Sequence, residues 1–278
     1  MKIVVLSDNR KFNELLDSEH GLCIYLETEH YKCLLDTGAS DQFIRNAEKL
    51  GVSIKDIDFV FISHGHADHI GGLPAFLKQN KKAKIVLSKN AIRQKFFSKR
   101  NGFHQISLDF DWSIYADRLI FVESEMIFRN EIQVFSAKNN KYSSPKANST
   151  LYKKTGNGMQ LDDFNHELVI SFGTDKLVVY TGCAHKGLLN ILGSVSLFPS
   201  KRTAYVIGGF HLLDSKMKYE FENNAEIDAI AQEMKMKYPE TNFITGHCTG
   251  EKVYQQLKEQ LEGQLIHFYT GYSIVIDN

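Results

Sequence analysis

The stretch Phe59–Leu73, FVFISHGHADHIGGL, places His64, His66, Asp68 and His69 within six residues. Imidazole nitrogens and carboxylate oxygens are the ligands that suit zinc, iron or manganese. The chemistry this group could do is therefore metal-ion chemistry. A lone histidine would read as a half-buried polar side chain, and 11 histidines in 278 residues allow some chance pairs. This group, however, follows the β-branched and aromatic run 58–63, which reads as a buried strand. Gly65, Gly71 and Gly72 permit a tight turn around it. His64 and His66, two apart at a strand end, can point to one side and bind one ion. Asp68 and His69, just past the turn, can reach a second.

Four more histidines border predicted strands. His166 precedes ELVISF, His185 follows KLVVYTG, His211 follows TAYVIGG, and His247 follows NFITG. Strands of neighbouring crossover units end on one edge of a sheet, where sites of layered folds collect. A catalytic ion usually takes three protein ligands and keeps a position open. These ligands exceed that number, and two ions roughly 3.5–4 Å apart would use them. His185 and His247 complete the two shells. Cys183, at the mouth of its strand, and His166, at the start of its own, are further candidate ligands. The alternative for each is core packing or a hydrogen bond to a ligand.

The elements that must position these groups follow from periodicity. KIVVLSD is a predicted strand, and GLCIYLETEHYKCLLDTG a hairpin turning at Glu29-His30. SDQFIRNAEKLGV is a predicted helix, capped by Ser40 or Asp41 and ended by Gly51. LPAFLKQN is a short helix with Pro74 in its first turn. AKIVLSKN is a strand, and AIRQKFFSKR is predicted helical. Short strands are expected at RLIFVES and EIQVFSA. The segment 138–163, rich in Asn, Ser, Lys and Gly, reads as a long polar loop, either a lid or a mobile insertion. Strands return at HELVISF and KLVVYTG. Helix KGLLNILGSV, strand TAYVIGGFHLL, Asn-capped helix NNAEIDAIAQEMKMKY, strand NFITGH, helix GEKVYQQLKEQL and a closing strand LIHFYTGYSIVI complete the chain. The expected architecture is α+β, with helices packed outside two sheets and one domain over 1–278 carrying a loop-rich insertion near 101–165.

Composition limits the function classes. Lys+Arg and Asp+Glu are both 33, which gives no global pull toward nucleic acid or an anionic membrane. The first residues, MKIVVLSDNRKF, are too briefly apolar for a signal-peptide core, and no run approaches the ~20 residues of a membrane span. Cys23, Cys33, Cys183 and Cys248 form no CxxC, so free thiols or ligands in a reducing cytoplasm are expected. A cytoplasmic location, no nucleic-acid partner and no membrane partner follow as expectations. A homodimer is compatible with the sequence.

HGHADHIGG resembles the signature of the metallo-β-lactamase fold superfamily. That likeness covers nearly the whole chain and implies an αββα sandwich of two mixed sheets with a one- or two-metal site. By the same likeness, Asp36 in LLDTG supports the site without binding metal. EHGLCIYLET, DDFNHEL, TGCAHKGLLNIL, IGGFHLL and TGHCTG are similar to the branch around a dihydropterin–ribofuranosylaminobenzene phosphate synthase. There is a departure: where most members carry a bridging aspartate, this chain has Cys183, with His185 two residues on.

The reading that follows is a hydrolase of a phosphoester or related ester. It would use two divalent ions, zinc first and iron or manganese as alternatives, and take a small anionic substrate. Asp68 would orient the attacking water or take its proton, and His211 would donate a proton to the leaving group or clamp a phosphate. Glu19 and His20 precede a strand and could reach the pocket edge. The rival readings are a carbon–nitrogen condensing synthase of pterin type and a non-catalytic, metal-stabilised ligand sensor.

Overall fold

The computed structural model describes residues 1–128, 130–195, 202–216 and 218–277. Its first half runs β1 (Lys2–Ser7), β2 (Cys23–Glu27), β3 (Lys32–Leu35), α1 (Gln42–Lys49), β4 (Phe59–Phe61), α2 (Ala67–Ile70), α3 (Leu73–Gln79) and β5 (Lys84–Leu87). Then come α4 (Lys89–Arg93), β6 (Lys95–Ser98), β7 (His104–Gln105) and β8 (Leu119–Phe121). The second half runs β9 (Glu125–Phe128), β10 (Ile132–Phe135), β11 (Leu151–Thr155), β12 (Gly158–Leu161), β13 (Val169–Phe172), β14 (Lys176–Tyr180) and α5 (Leu188–Val195). It closes with β15 (Arg202–Ile207), α6 (Asn224–Lys237), β16 (Asn242–Thr245), α7 (Glu251–Leu261), β17 (Leu265–His267) and β18 (Ser273–Val275).

Two seven-stranded sheets form the middle of the molecule. Their orders are β18-β1-β2-β3-β4-β5-β8 and β17-β16-β15-β14-β13-β10-β9. Both are mixed: β3, β4, β5 and β8 run parallel, as do β14 to β17, and the remaining pairs are antiparallel. The parallel strands are short continuous apolar runs because both of their faces are covered. Between the sheets lie Ile3, Leu35, Phe61, Ile170, Phe172 and Ile207, all fully buried. Outside the first sheet, α1 and α3 bury Phe43, Ala47, Phe76 and Leu77; outside the second, α5, α6 and α7 bury Ile191, Ala231 and Leu257. This is the αββα sandwich, in four layers.

Local chemistry explains the element ends. Ser40 Oγ accepts from the Gln42 amide at 3.1 Å at the entry of α1, while Asp41 pairs with Arg45 at 2.6 Å. Gly51 follows α1 at φ +70°, which a residue with a Cβ reaches only under strain. Asn223 and Glu226 form a reciprocal capping box on α6.

Three expectations are corrected. The predicted helix AIRQKFFSKR stops at Arg93, and residues 95–98 form β6, because Phe96 and Ser98 alternate inward and the strand pairs with β11. The predicted loop 138–163 contains the hairpin β11–β12, turning between Thr155 and Gly158. Its alternation is hard to see because apolar Met159 and Leu161 face outward. With β6 and β7 it builds a third, four-stranded sheet. The single closing strand is two strands: β17 pairs with β16 in the second sheet and β18 with β1 in the first, broken by a turn with Gly271 at φ +93°.

Phe172 on the second sheet meets Phe61 on the first edge-to-face, with ring centroids 5.9 Å apart and both side chains fully buried. Truncation should leave a cavity at the sheet–sheet contact. Phe172→Ala is expected to cost ~3–5 kcal/mol in urea denaturation, with the denaturant slope unchanged. A loss well under 1 kcal/mol would mean the two sheets do not share this core.

Candidate metal centre

The centre lies beyond the carboxyl ends of β4, β14, β15 and β16, where parallel strands of both sheets release their chains. The β4 turn is built by close backbone approach. A Cβ on Gly65 would stand 2.4 Å from the Ala91 carbonyl oxygen, and one on Gly72 would stand 2.1 Å from that of Thr37. Only glycine fits there, and the compressed turn delivers His64 and His66 from one side and Asp68 and His69 from α2.

Asp36 fixes this turn. Its carboxylate accepts from Ser63 N at 2.7 Å, Ser63 Oγ at 2.6 Å, Tyr180 OH at 2.5 Å and His69 Nδ1 at 2.6 Å. The Ser63 hydroxyl spends its one hydrogen on Asp36, so it accepts from His64 Nδ1 at 2.8 Å. His64 and His69 therefore both carry their proton on Nδ1 and turn a bare Nε2 inward.

His185 and His247 are held by two copies of one device. Asn148 donates to the His185 carbonyl at 2.8 Å and its Oδ1 accepts from His185 Nδ1 at 3.1 Å. Asn9 donates to the His247 carbonyl at 2.9 Å and its Oδ1 accepts from His247 Nδ1 at 3.2 Å. Each asparagine leaves Nε2 facing the centre. The outcome is two nitrogen–nitrogen approaches, His64 to His185 at 3.4 Å and His69 to His247 at 3.1 Å.

Electrostatics agree with a site made for cations. Burial lowers the His64 and His185 imidazoles well below their ordinary range, and neighbouring imidazoles lower them further. Burial also opposes charge on His247, but the Asp68 hydrogen bond and the nearby Cys248, Asp68 and Asp8 charges outweigh it and raise its pKa to about 9. Burial raises Asp68, yet His69 and His247 together hold it well below the carboxylate range. Asp68 Oδ2 lies 3.4 Å from His247 Nε2 and 3.7 Å from His69 Nε2.

The remaining expected residues separate into two groups. His66 is buried, its Nε2 has no hydrogen-bond partner and faces Asp162 at 3.7 Å, and its ring lies 4.6 Å from His64 and 5.0 Å from His185. Cys183 Sγ lies 3.2 Å from His69 Nε2 and within ligand reach of both His64–His185 and His69–His247. His20 stands at the rim, its side chain 71% exposed, stacked on His247 and 3.4 Å from Asp68.

His166 does not offer a ligand. Its Nδ1 accepts from Gly65 N at 3.1 Å and its Nε2 donates to Asp162 at 3.0 Å, so both nitrogens are used and it braces the β4 turn. Glu19 does not reach the pocket. It accepts from Ala39 N, Ser40 N and Ser40 Oγ at 3.0, 3.2 and 2.6 Å, holding the loop after Asp36. His211 is buried with neither ring nitrogen hydrogen-bonded; burial lowers its pKa, the Cys248 sulfur opposes that, and its ring lies 4.1 Å from the His185 ring.

Several participants were not singled out. Asn9 lies two residues past the end of β1, the same strand-end signal that found the histidines. Asn148 sits in the segment read as a loop. Tyr180 reads as core because its strand is apolar. Glu167 accepts from His185 N at 2.6 Å and Lys186 N at 2.8 Å, shaping the turn after β14, while burial pushes its pKa up to about 7.

The donor set fits a divalent transition metal. Imidazoles, one carboxylate and a thiol converge, with inward-facing Nε2 atoms so close that a proton or a cation has to lie between them.

The family model described as the metallo-beta-lactamase superfamily matches residues 17–128. A relative from Methanocaldococcus jannaschii is 26% identical over 98% of this chain and 95% of its own length. It is named 7,8-dihydropterin-6-methyl-4-(beta-D-ribofuranosyl)-aminobenzene-5'-phosphate synthase. A crystal structure described as a metal-dependent hydrolase of the beta-lactamase superfamily superposes over all of both chains with TM-score 0.81 and 29% identity. Human tRNase Z, short form, superposes over all of both chains with TM-score 0.57 at 13% identity, a likeness of fold.

Asp36 is fully buried, yet it orients two imidazoles. Asp36→Asn places an amide where four donors converge. Affinity for Zn²⁺, measured by competition with a chromogenic chelator, is expected to fall ~10–100-fold while cooperative unfolding persists. Unchanged affinity would show that the imidazoles hold their orientation without it.

Proposed function

The chain has the metallo-β-lactamase fold, and from that premise we propose that it is a metal-dependent hydrolase of a phosphoester or related ester with a dinuclear centre. The observation that carries this reading is the pair of close Nε2 approaches, His64–His185 and His69–His247, beside the half-open carboxylate of Asp68. His64, His66 and His185 would hold one ion, and Asp68, His69 and His247 the second. Cys183 lies where it can serve both. When bound, such ions lend Lewis acidity to a substrate oxygen and make a water acidic near neutral pH.

The chain's own residues supply the rest. Asp68 is the charged side chain of this group that solvent reaches, 23% exposed. It orients a water and accepts its proton. His20, stacked over His247 at the rim, bounds the open side and can donate a hydrogen bond to an entering oxygen. Zinc is the first choice of ion because histidine and cysteine dominate the donors, with iron and manganese as alternatives. The substrate is small and anionic. A cytoplasmic setting suits the buried free thiols, and no helix among the described residues is long and apolar enough to cross a membrane.

A second reading, a pterin-type condensing synthase, is favoured by the name of the Methanocaldococcus jannaschii relative. Both readings use one centre and differ in what enters it.

The test begins with metal content of protein purified without added metal, followed by a panel of phosphodiesters and esters. Near-stoichiometric occupancy of two ions is expected, with turnover abolished by chelator and restored by Zn²⁺ or Mn²⁺. Asp68→Asn is expected to lower kcat by ~10²–10⁴-fold, beyond what its ion loss explains. Full occupancy with no turnover on the panel, but product from a pterin and ribofuranosylaminobenzene phosphate together, would replace the hydrolase with the synthase.

A further inference from the structure

On the side of β15 and β16 lies a group of which the reading above uses only Cys183. Cys183, His211 and Cys248 are all buried, and one ligand atom from each falls within 4.8 Å of the others. They come from three strand ends: Cys183 after β14, His211 after β15 and Cys248 after β16. No disulfide joins the thiols; both are free.

Two observations show a built pocket. His211 is 2% exposed, and neither of its ring nitrogens has a hydrogen-bond partner. A buried imidazole without partners costs free energy unless something occupies the space beside it. The backbone also makes room for sulfur. A Cβ on Gly209 would stand 2.3 Å from Cys248 Sγ, so only glycine at 209 lets that thiol in. His211 itself takes φ +51°, a left-handed conformation that turns its ring back to lie 4.1 Å from the His185 ring.

We propose that Cys183, His211 and Cys248 form a third, sulfur-rich cation pocket that adjoins the histidine centre and takes a thiophilic divalent ion such as Zn²⁺, Co²⁺ or Cd²⁺. It rests on the reading of a metal centre only through the shared Cys183; His211 and Cys248 belong to it alone. Two thiolates and a neutral imidazole balance a dication, which removes most of the cost of burying that charge. Binding displaces whatever protons the Cys183 and Cys248 sulfurs carry and changes no oxidation state, so no redox partner is needed. Three protein ligands leave a fourth position open, as in a catalytic or exchangeable site.

The probe is Co²⁺ or Cd²⁺ added to metal-free, reduced protein under anaerobic conditions. Thiolate-to-metal charge transfer in the near ultraviolet reports sulfur ligation directly and independently of turnover. The wild type is expected to show this band. Cys248→Ser should weaken it and lose one equivalent of tightly bound ion, and His211→Ala should lose the same equivalent. As a check without variants, Cd²⁺ should protect Cys248 from alkylation by iodoacetamide, read by mass spectrometry. Ion binding with no charge-transfer band would sink the sulfur pocket and leave the histidine centre standing. So would a Cys248→Ser protein with the wild-type band and stoichiometry, or unprotected Cys248. No binding of either ion would remove both.

Discussion

One buried carboxylate ties the molecule together. Asp36 leaves the end of β3 and collects hydrogen bonds from the β4 turn, from α2 and, through Tyr180, from the opposite sheet. A carboxylate this deep is tolerable only when fully hydrogen-bonded. That requirement locks the spacing between the two sheets at the point where the centre forms. The same four bonds choose the tautomers of His64 and His69. A requirement of stability and a requirement of metal chemistry are thus met by one side chain, and neither can be relaxed separately.

The centre is assembled by repetition of a simple rule: occupy Nδ1, leave Nε2 bare. Asp36 applies it directly to His69 and through Ser63 to His64; Asn9 and Asn148 apply it to His247 and His185. Bare nitrogens facing each other at 3.1 and 3.4 Å repel unless a proton or a cation comes between. The small third sheet takes part too. It pairs with the β4 turn through the Ala67 amide and the Ile106 carbonyl at 2.7 Å, and it packs Phe96 against the His166 ring. What reads as an insertion is a wall of the site.

Sequence periodicity revealed most of the sandwich because its strands are short apolar runs punctuated by glycine and its helices carry caps, as at Asn223. The errors fall where side-chain periodicity and burial separate. In β12, Met159 and Leu161 are apolar but outward-facing, and in β6 a helix-like composition is overruled by pairing with β11. For the centre, the strand-end rule located His64, His66, His69, His185 and His247. It could not tell His185 from His166, since both stand beside strands. The difference is made by Asp162 and the Gly65 amide, which consume both nitrogens of His166. Partners so distant in sequence leave no local pattern. Glu19 failed for the same reason: the backbone amides that capture it are visible only in three dimensions.

Backbone strain marks the site as well. Asp36, Ala184, His211 and His247 all sit at φ between +50° and +58°. A left-handed conformation costs a residue with a Cβ of order 1–2 kcal/mol. Glycine would relieve the cost at each position, yet at Asp36, His211 and His247 it would delete a side chain buried in the centre. Ala184 lies between Cys183 and His185, where the turn brings both side chains within reach of His64. At these four positions, out of eight non-glycine residues of positive φ among the described residues, the strain falls where chain direction and side-chain direction have to be set independently. It is held in place by bonds such as His247 N to Asp8 at 2.9 Å and Ala184 N to the Thr181 carbonyl at 3.0 Å. No spacing rule reveals such positions, because the residues there are chosen for chemistry and the rest of the fold supplies the free energy that keeps them in an unfavourable conformation.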